Sequence, residues 1–264
     1  MTNDTTTARS ATSALDGGSA DDLLEVERRR NTLVIGVLMV STFVVILNET
    51  IMSVALPTLI IDLHVPAATA QWLTTGFLLT MAVVIPITGF LLQRFNTRPM
   101  FILAMSLFSL GTLIAVVAPN FSILLIARIV QATGTAIMMP LLMTTAMTLV
   151  PAASRGRMMG NISIVISVAP AIGPTISGLI LNVLTWRFMF VFVLPIALAT
   201  LVIGAVKMKN VTTPRKAPLD VLSVILSAFA FGGLLYGLSS VGESASGSPQ
   251  VVSPIVPVAV GVVA

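Results

Sequence analysis

Residues 33–56 read LVIGVLMVSTFVVILNETIMSVAL, an apolar run interrupted only by Asn48-Glu49-Thr50. About 20 predominantly apolar residues are enough to cross the hydrocarbon core of a bilayer. A cleavable signal sequence carries an apolar stretch of only about 7–15 residues. Although Arg28-Arg29-Arg30 precede the run, it therefore reads as a retained membrane span. The same reading repeats along the chain at Trp72–Leu92, Met100–Ala118, Phe121–Leu149, Met158–Leu181, Phe188–Val206 and Val221–Val241. Each of these is bounded by charge, by proline, or by a turn such as Pro119-Asn120. An eighth apolar run, Pro254 to Ala264, is about 16 Å of helix, roughly half the hydrocarbon thickness. The expectation is an all-α membrane protein with a six-helix N-terminal bundle, one complete further helix and one incomplete one, as the front part of a longer protein.

Composition agrees. The chain of 264 residues is 56% hydrophobic and 9% charged, with mean hydropathy +1.04, whereas soluble domains hold about 25% charged residues. It has no cysteine and one histidine, His64, which excludes thiolate metal sites, disulfides and a cysteine nucleophile. No P-loop, GxSxG or HExxH pattern is present, so ATP-driven transport and common hydrolase chemistry find no support. No metal, cofactor or enzymatic activity is expected. The basic residues form no coherent stripe, which argues against nucleic-acid binding.

Residues 1–30 are rich in Thr, Ser, Ala and Asp and are expected to be a disordered tail. Residues 31–206 form the six-span block, 207–220 a linker holding Pro214 and Pro218, and 221–264 the seventh and incomplete eighth helices. Alternate loops carry the charge. All but two of the 14 basic residues fall in the tail or in the loops after spans two, four and six; the exceptions are Arg128, inside span four, and Arg187. By the positive-inside rule the N-terminus is expected in the cytoplasm.

Two ionisable residues stand inside the complete spans. Glu49 lies about 24 Å along span one, and Arg128 about 10 Å into span four, which runs the other way. Similar depth permits an ion pair or a shared water-filled cavity. Charge inside hydrocarbon is costly and usually marks a pathway or an internal pair. Desolvation and a neighbouring guanidinium act oppositely on a carboxylate's proton affinity, so such a pair is able to couple a proton to a substrate. A purely structural pair that fixes helix packing is the other reading.

Three further stretches draw attention. Span five contains Pro170, Gly173, Pro174, Ser177 and Gly178, which bend a helix and let a neighbour approach closely; Gly233 and Gly237 form a weaker pair of small residues in span seven. The loop Gly89-Phe90-Leu91-Leu92-Gln93-Arg94-Phe95-Asn96-Thr97-Arg98 places Arg94 and Arg98 where they would meet helix C-termini or lipid headgroups. Met138, Met139 and Met143 are candidates for an adaptable apolar lining. Asp62 and His64, in a short loop, are expected to be solvated.

Taken together, these stretches resemble the major facilitator superfamily, in particular its 14-helix drug:proton antiporters of the lincomycin-resistance type. The 89–98 loop is similar to the signature G-x-L-x-D-R-x-G-R-K at Gly89, Leu91, Arg94 and Arg98. Leu124–Gly134 resembles the helix-four motif whose arginine is implicated in proton transfer, at Arg128 with Gln131 beside it. Gly173-Pro174-Thr175-Ile176-Ser177-Gly178 resembles the antiporter motif G-P-x-x-G-G, Leu47–Pro57 the helix-one motif L-D-x-T-x-x-x-x-A-L-P, and Trp186-Arg187 the start of helix six. The chain departs from these patterns where Asn48 takes the helix-one acid, with Glu49 one position on, and where Gln93 takes the loop aspartate. The resemblance implies a multi-pass protein of the bacterial cytoplasmic membrane that exchanges protons for small apolar or amphipathic drugs or toxic compounds. Arg128, Glu49, Asn48 and Gln131 would serve coupling; Gly89, Gln93, Arg94, Arg98, Gly173, Pro174 and Gly178 would serve conformational change. The competing expectation is a non-transporting fragment, or a half-transporter that needs a partner chain.

Overall fold

A computed structural model describes residues 4–208 and 210, together with positions 226, 230 and 233. Six long helices account for almost all of it: α1 (Asp4–Asp62), α2 (Ala67–Arg94), α3 (Thr97–Val117), α4 (Phe121–Leu149), α5 (Arg155–Val183) and α6 (Arg187–Lys207). Each is long and apolar enough to cross a membrane, and the described residues include no strand. The six spans expected from hydropathy are all present. Leu226, Ala230 and Gly233 are helical within the expected seventh span. The rest of that span, the linker beyond Asn210 and the eighth run lie outside the described residues.

The helices overrun the apolar segments because a helix stops at a cap and not at a change of hydropathy, and α1 continues through Pro57 to Asp62. Pro66 precedes α2. Asn120 caps α4, its side chain accepting from the Ile123 amide at 3.0 Å. α1 reaches back to Asp4, through the tail whose composition suggests disorder; Glu25 and Arg29, one turn apart and 2.7 Å between charges, support that polar extension. At its other end α1 closes on His64, whose φ of 53° is left-handed. The Val65 amide donates to Ile60 O and the His64 amide to Ile61 O. This is a Schellman closure with histidine at the position glycine usually takes.

α4 packs on α3, α2 and α1, while α1 also packs on α5 and α6, and α6 on α3. With lipid tails as apolar as leucine, helices associate through close packing more than through water exclusion. Glycines permit the tightest crossing. A Cβ on Gly134 would strike the Ala104 carbonyl and Phe108, and one on Gly111 would lie 2.7 Å from Ala127 O. The core fills with Phe101, Phe108, Met105 and Leu124 beside Leu38 of α1. α1, α3 and α4 are the most buried helices, and α2 and α5 leave most of their surfaces open.

Two ends of the bundle are tied by polar contacts. At one end Arg98 donates from Nε and Nη2 to Ala205 O, at 3.1 and 2.6 Å, capping the C-terminus of α6. Arg155 does the same for α4, donating to Val150 O and Met147 O. At the other end Trp186 Nε1 donates to Asp62 Oδ2 at 2.6 Å. Arg187 lies 3.7 Å from that carboxylate and donates to Ala118 O at 3.0 Å. Asp62, expected to be merely solvated, therefore joins the ends of α1, α3 and α6. His64 is exposed, as expected.

Candidate functional site

Arg128 is 1% exposed, a cation in the middle of the bundle. It projects from α4 toward α2, with its guanidinium carbon 4.0 Å from the centroid of the Phe77 ring. Nη1 donates to Gln131 Oε1 at 3.1 Å, and Nε makes a long 3.5 Å contact to Leu73 O. Gln131, one turn along α4 and fully buried, donates from Nε2 to Thr112 Oγ1 at 2.8 Å. Thr112 donates onward to Phe108 O at 2.7 Å. The result is a polar chain from α2 through α4 into α3. A flat, delocalised guanidinium suits it, since one face takes the ring quadrupole while the edge keeps its donors.

Glu49 on α1 is half-buried and interacts electrostatically with Arg128. Asn48, one position earlier and turned by about 100°, is 2% exposed, and its Nδ2 has no partner among the described residues. Among the described residues no ion pair within 4 Å joins Glu49 to Arg128, so the expected pair acts only through longer-range attraction, while the Asn48 amide is sunk in packing.

α5 meets α1 at the same level. A Cβ on Gly173 would lie 2.8 Å from Thr50 Cβ and Cγ2. Ser177 Oγ donates to Ile51 O at 3.3 Å and lies 3.4 Å from Met189 Sδ. Gly173 and Ser177 share a helix face, and the turn of α1 carrying Glu49 rests on it. Pro174 and Gly178 are elsewhere: Pro174 is exposed, and nothing described lies within 4 Å of a Cβ on Gly178.

The 89–98 stretch is remote from this group and is helical where a loop was expected, only Phe95 and Asn96 lying between α2 and α3. Gln93 is exposed and donates to Gly89 O at 3.3 Å, and Arg94 lies 5.9 Å from the Phe90 ring centroid. Of the two arginines, Arg98 is the one that meets a helix C-terminus. The methionines do not share a surface either, since Met138 is fully buried and Met143 is 36% exposed. Sequence reading missed Phe77, Leu73 and Thr112, which lie on other helices with no motif around them; the spacing of Arg128 and Gln131 was the one local signal.

The sequence matches the Major Facilitator Superfamily over residues 38–264. The chain belongs to that superfamily. It is 48% identical to the "Uncharacterized MFS-type transporter YcnB" of Bacillus subtilis over 91% of this chain and 50% of that protein. Against the "Lincomycin resistance protein LmrB" of the same organism it is 44% identical, over 86% of this chain and 48% of the relative. The chain thus spans about half the length of the curated relatives it matches. Among solved structures, the peptide transporter POT in complex with sulfate superposes with a TM-score of 0.63 at 13% identity, covering 83% of this chain and 47% of that one. That likeness is one of fold. The major facilitator assignment makes this chain a multi-pass membrane protein and a transporter-family member, not an enzyme.

Proposed function

We propose that this chain is the Arg128-bearing bundle of a drug:proton antiporter of the 14-helix kind. It would expel small apolar or amphipathic toxic compounds across a bacterial cytoplasmic membrane by alternating access, with its N-terminus in the cytoplasm. The observation that carries the reading is a fully buried guanidinium, bonded to neutral groups, with a half-buried carboxylate acting on it from the next helix. A proton arriving on Glu49 cancels the charge facing Arg128 and changes the attraction between α1 and α4. Because α5 rests on α1 at Thr50 and Ile51, a shift there is passed directly to the Gly173 face. An equilibrium between two arrangements responds to a ligand by its differential interaction with each, and here the proton is that ligand. The resemblance to a lincomycin-resistance protein supports drugs as the exported class.

The test is drug-stimulated proton flux in everted vesicles, using this bundle within a full-length protein. Arg128→Ala and Glu49→Gln are each expected to abolish coupled flux at equal expression. Unimpaired flux in Arg128→Ala overturns the reading.

The open surfaces of α2 and α5 favour a second reading, in which this stretch transports nothing until a second bundle covers them. Transport by the 264-residue chain alone, compared with the same chain joined to a second bundle, separates the two.

A further inference from the structure

α3 exposes its residues in single file. After Arg98 its exposed positions are Pro99, Leu103, Ser106, Leu110, Leu113 and Val117, and every position between them is buried or half-buried. The steps along the chain are 4, 3, 4, 3 and 4 residues. That is the heptad spacing of a seam that receives another helix at a shallow left-handed crossing. α6 differs, exposing adjacent pairs at Val191-Phe192, Leu198-Ala199 and Val202-Ile203, a broad face suited to lipid. Nothing among the described residues covers the α3 seam, where Leu110 is 51% and Val117 66% exposed.

The chain itself leads to the foot of this seam. Asn210, just past the end of α6, accepts from the Arg98 amide at 3.4 Å. With Arg98, Pro99, Ile102, Leu103 and Ser106 it lines an open cleft of about 560 Å³. Ten residues separate Asn210 from the expected seventh span, Val221–Val241. Consecutive elements are usually neighbours in space, and so short a connection favours one here. A span leaving from this end runs parallel to α3, which begins at the same end, where Arg98 caps α6. Leu226, Ala230 and Gly233, helical within that span, repeat the steps of 4 and 3, and Gly237 and Ser240 continue them in sequence. All but Leu226 are small residues, which let a neighbouring helix approach closely.

We infer that the seventh span docks lengthwise on α3, with Leu226 beside Leu103, Ala230 beside Ser106, Gly233 beside Leu110 and Gly237 beside Leu113. The α3 leucines then seat over the glycines as knobs into holes, and the occupant of the seam is this chain's own continuation. The inference stands on packing and on the path of the chain and does not depend on antiport, so a failure of coupled flux would leave it untouched.

The chain contains no cysteine, which gives a clean test. The double variant Leu103→Cys with Leu226→Cys, made in the whole chain and leaving every glycine in place, is oxidised in membranes with copper–phenanthroline. Ile164→Cys with Leu226→Cys is the comparison, since Ile164 is exposed on α5, the face that the span would meet if it lay elsewhere on the bundle. A disulfide needs Cα atoms about 4.4–6.8 Å apart, so the Leu103 pair is expected to close within one chain about 10-fold faster. Equal or reversed rates overturn the docking. A bridge formed only between chains also overturns it, making a second copy the occupant. Adding Gly233→Leu to the Leu103 pair is expected to abolish its advantage by holding the two helices apart; an undiminished rate overturns the role given to the small residues.

Discussion

Gln131 holds the arginine in place, and Gln131→Met measures by how much. Methionine is unbranched and of similar length, so it fills the space while removing both polar atoms. Two bonds are lost. The one from Arg128 Nη1 at 3.1 Å involves a charged donor and is worth about 1.5–3 kcal/mol. The one to Thr112 Oγ1 at 2.8 Å is neutral, and Thr112 keeps its own bond to Phe108 O, so its loss adds about 0.5–1 kcal/mol. The expected destabilisation is about 2–4 kcal/mol. The larger part arises because a fully buried cation is left without its acceptor, so removing that cation should return stability. Arg128→Met combined with Gln131→Met is therefore expected to cost less than the sum of the single variants, with a coupling of about 1.5–3 kcal/mol. Unfolding by SDS in mixed micelles, followed through Trp72 and Trp186 fluorescence, reads all four corners of the cycle. Additive effects, or a Gln131→Met variant within about 0.5 kcal/mol of the unmodified chain, would refute the view that Gln131 is the guanidinium's essential partner.

Gly134→Ala drives a methyl into the Ala104 carbonyl and Phe108 and should cost at least the upper part of about 1–3 kcal/mol. Gly178→Ala meets open space and should stay within about 0.5 kcal/mol; the same unfolding assay ranks them, and equal effects would contradict the described crossing. Asp62→Ala leaves the buried Trp186 Nε1 without its acceptor and should cost about 1 kcal/mol, while Asp62→Asn, which keeps an acceptor, should not. Tryptophan emission on melting reports both. Arg98→Gln releases Ala205 O and should speed amide exchange in the last turn of α6, with a stability loss of about 0.3–1 kcal/mol; unchanged exchange there would deny Arg98 its capping role.

The six spans were legible because hydropathy and helix length are properties of a single segment. The pairing of Arg128 with Gln131 was legible for the same reason, three residues along one helix being one turn. The partners on other helices were not. Phe77 and Thr112 sit in ordinary apolar surroundings, and nothing local says that a guanidinium lies across from them. Asp62 looked solvated since its partners, Trp186 and Arg187, are more than a hundred residues away. The helix-five pattern misled in another way. Gly173, Pro174 and Gly178 read as one unit along the chain, yet helical rotation puts only Gly173 against α1.

Rotation also bears on the one-residue offset between Asn48 and Glu49. Had the carboxylate stood at position 48, it would occupy a site now 2% exposed, where a charge without a bonded partner is very costly. At position 49 it keeps partial access and still acts on Arg128. On the antiport reading proposed above, position 49 is therefore the one of the two that a proton is able to reach, while Asn48 is held in the packed interior. Asn48→Asp in a Glu49→Gln background is expected to leave coupled flux abolished, because the new carboxylate is buried without a bonded partner; flux restored in everted vesicles would refute the view that burial excludes a carrier at position 48.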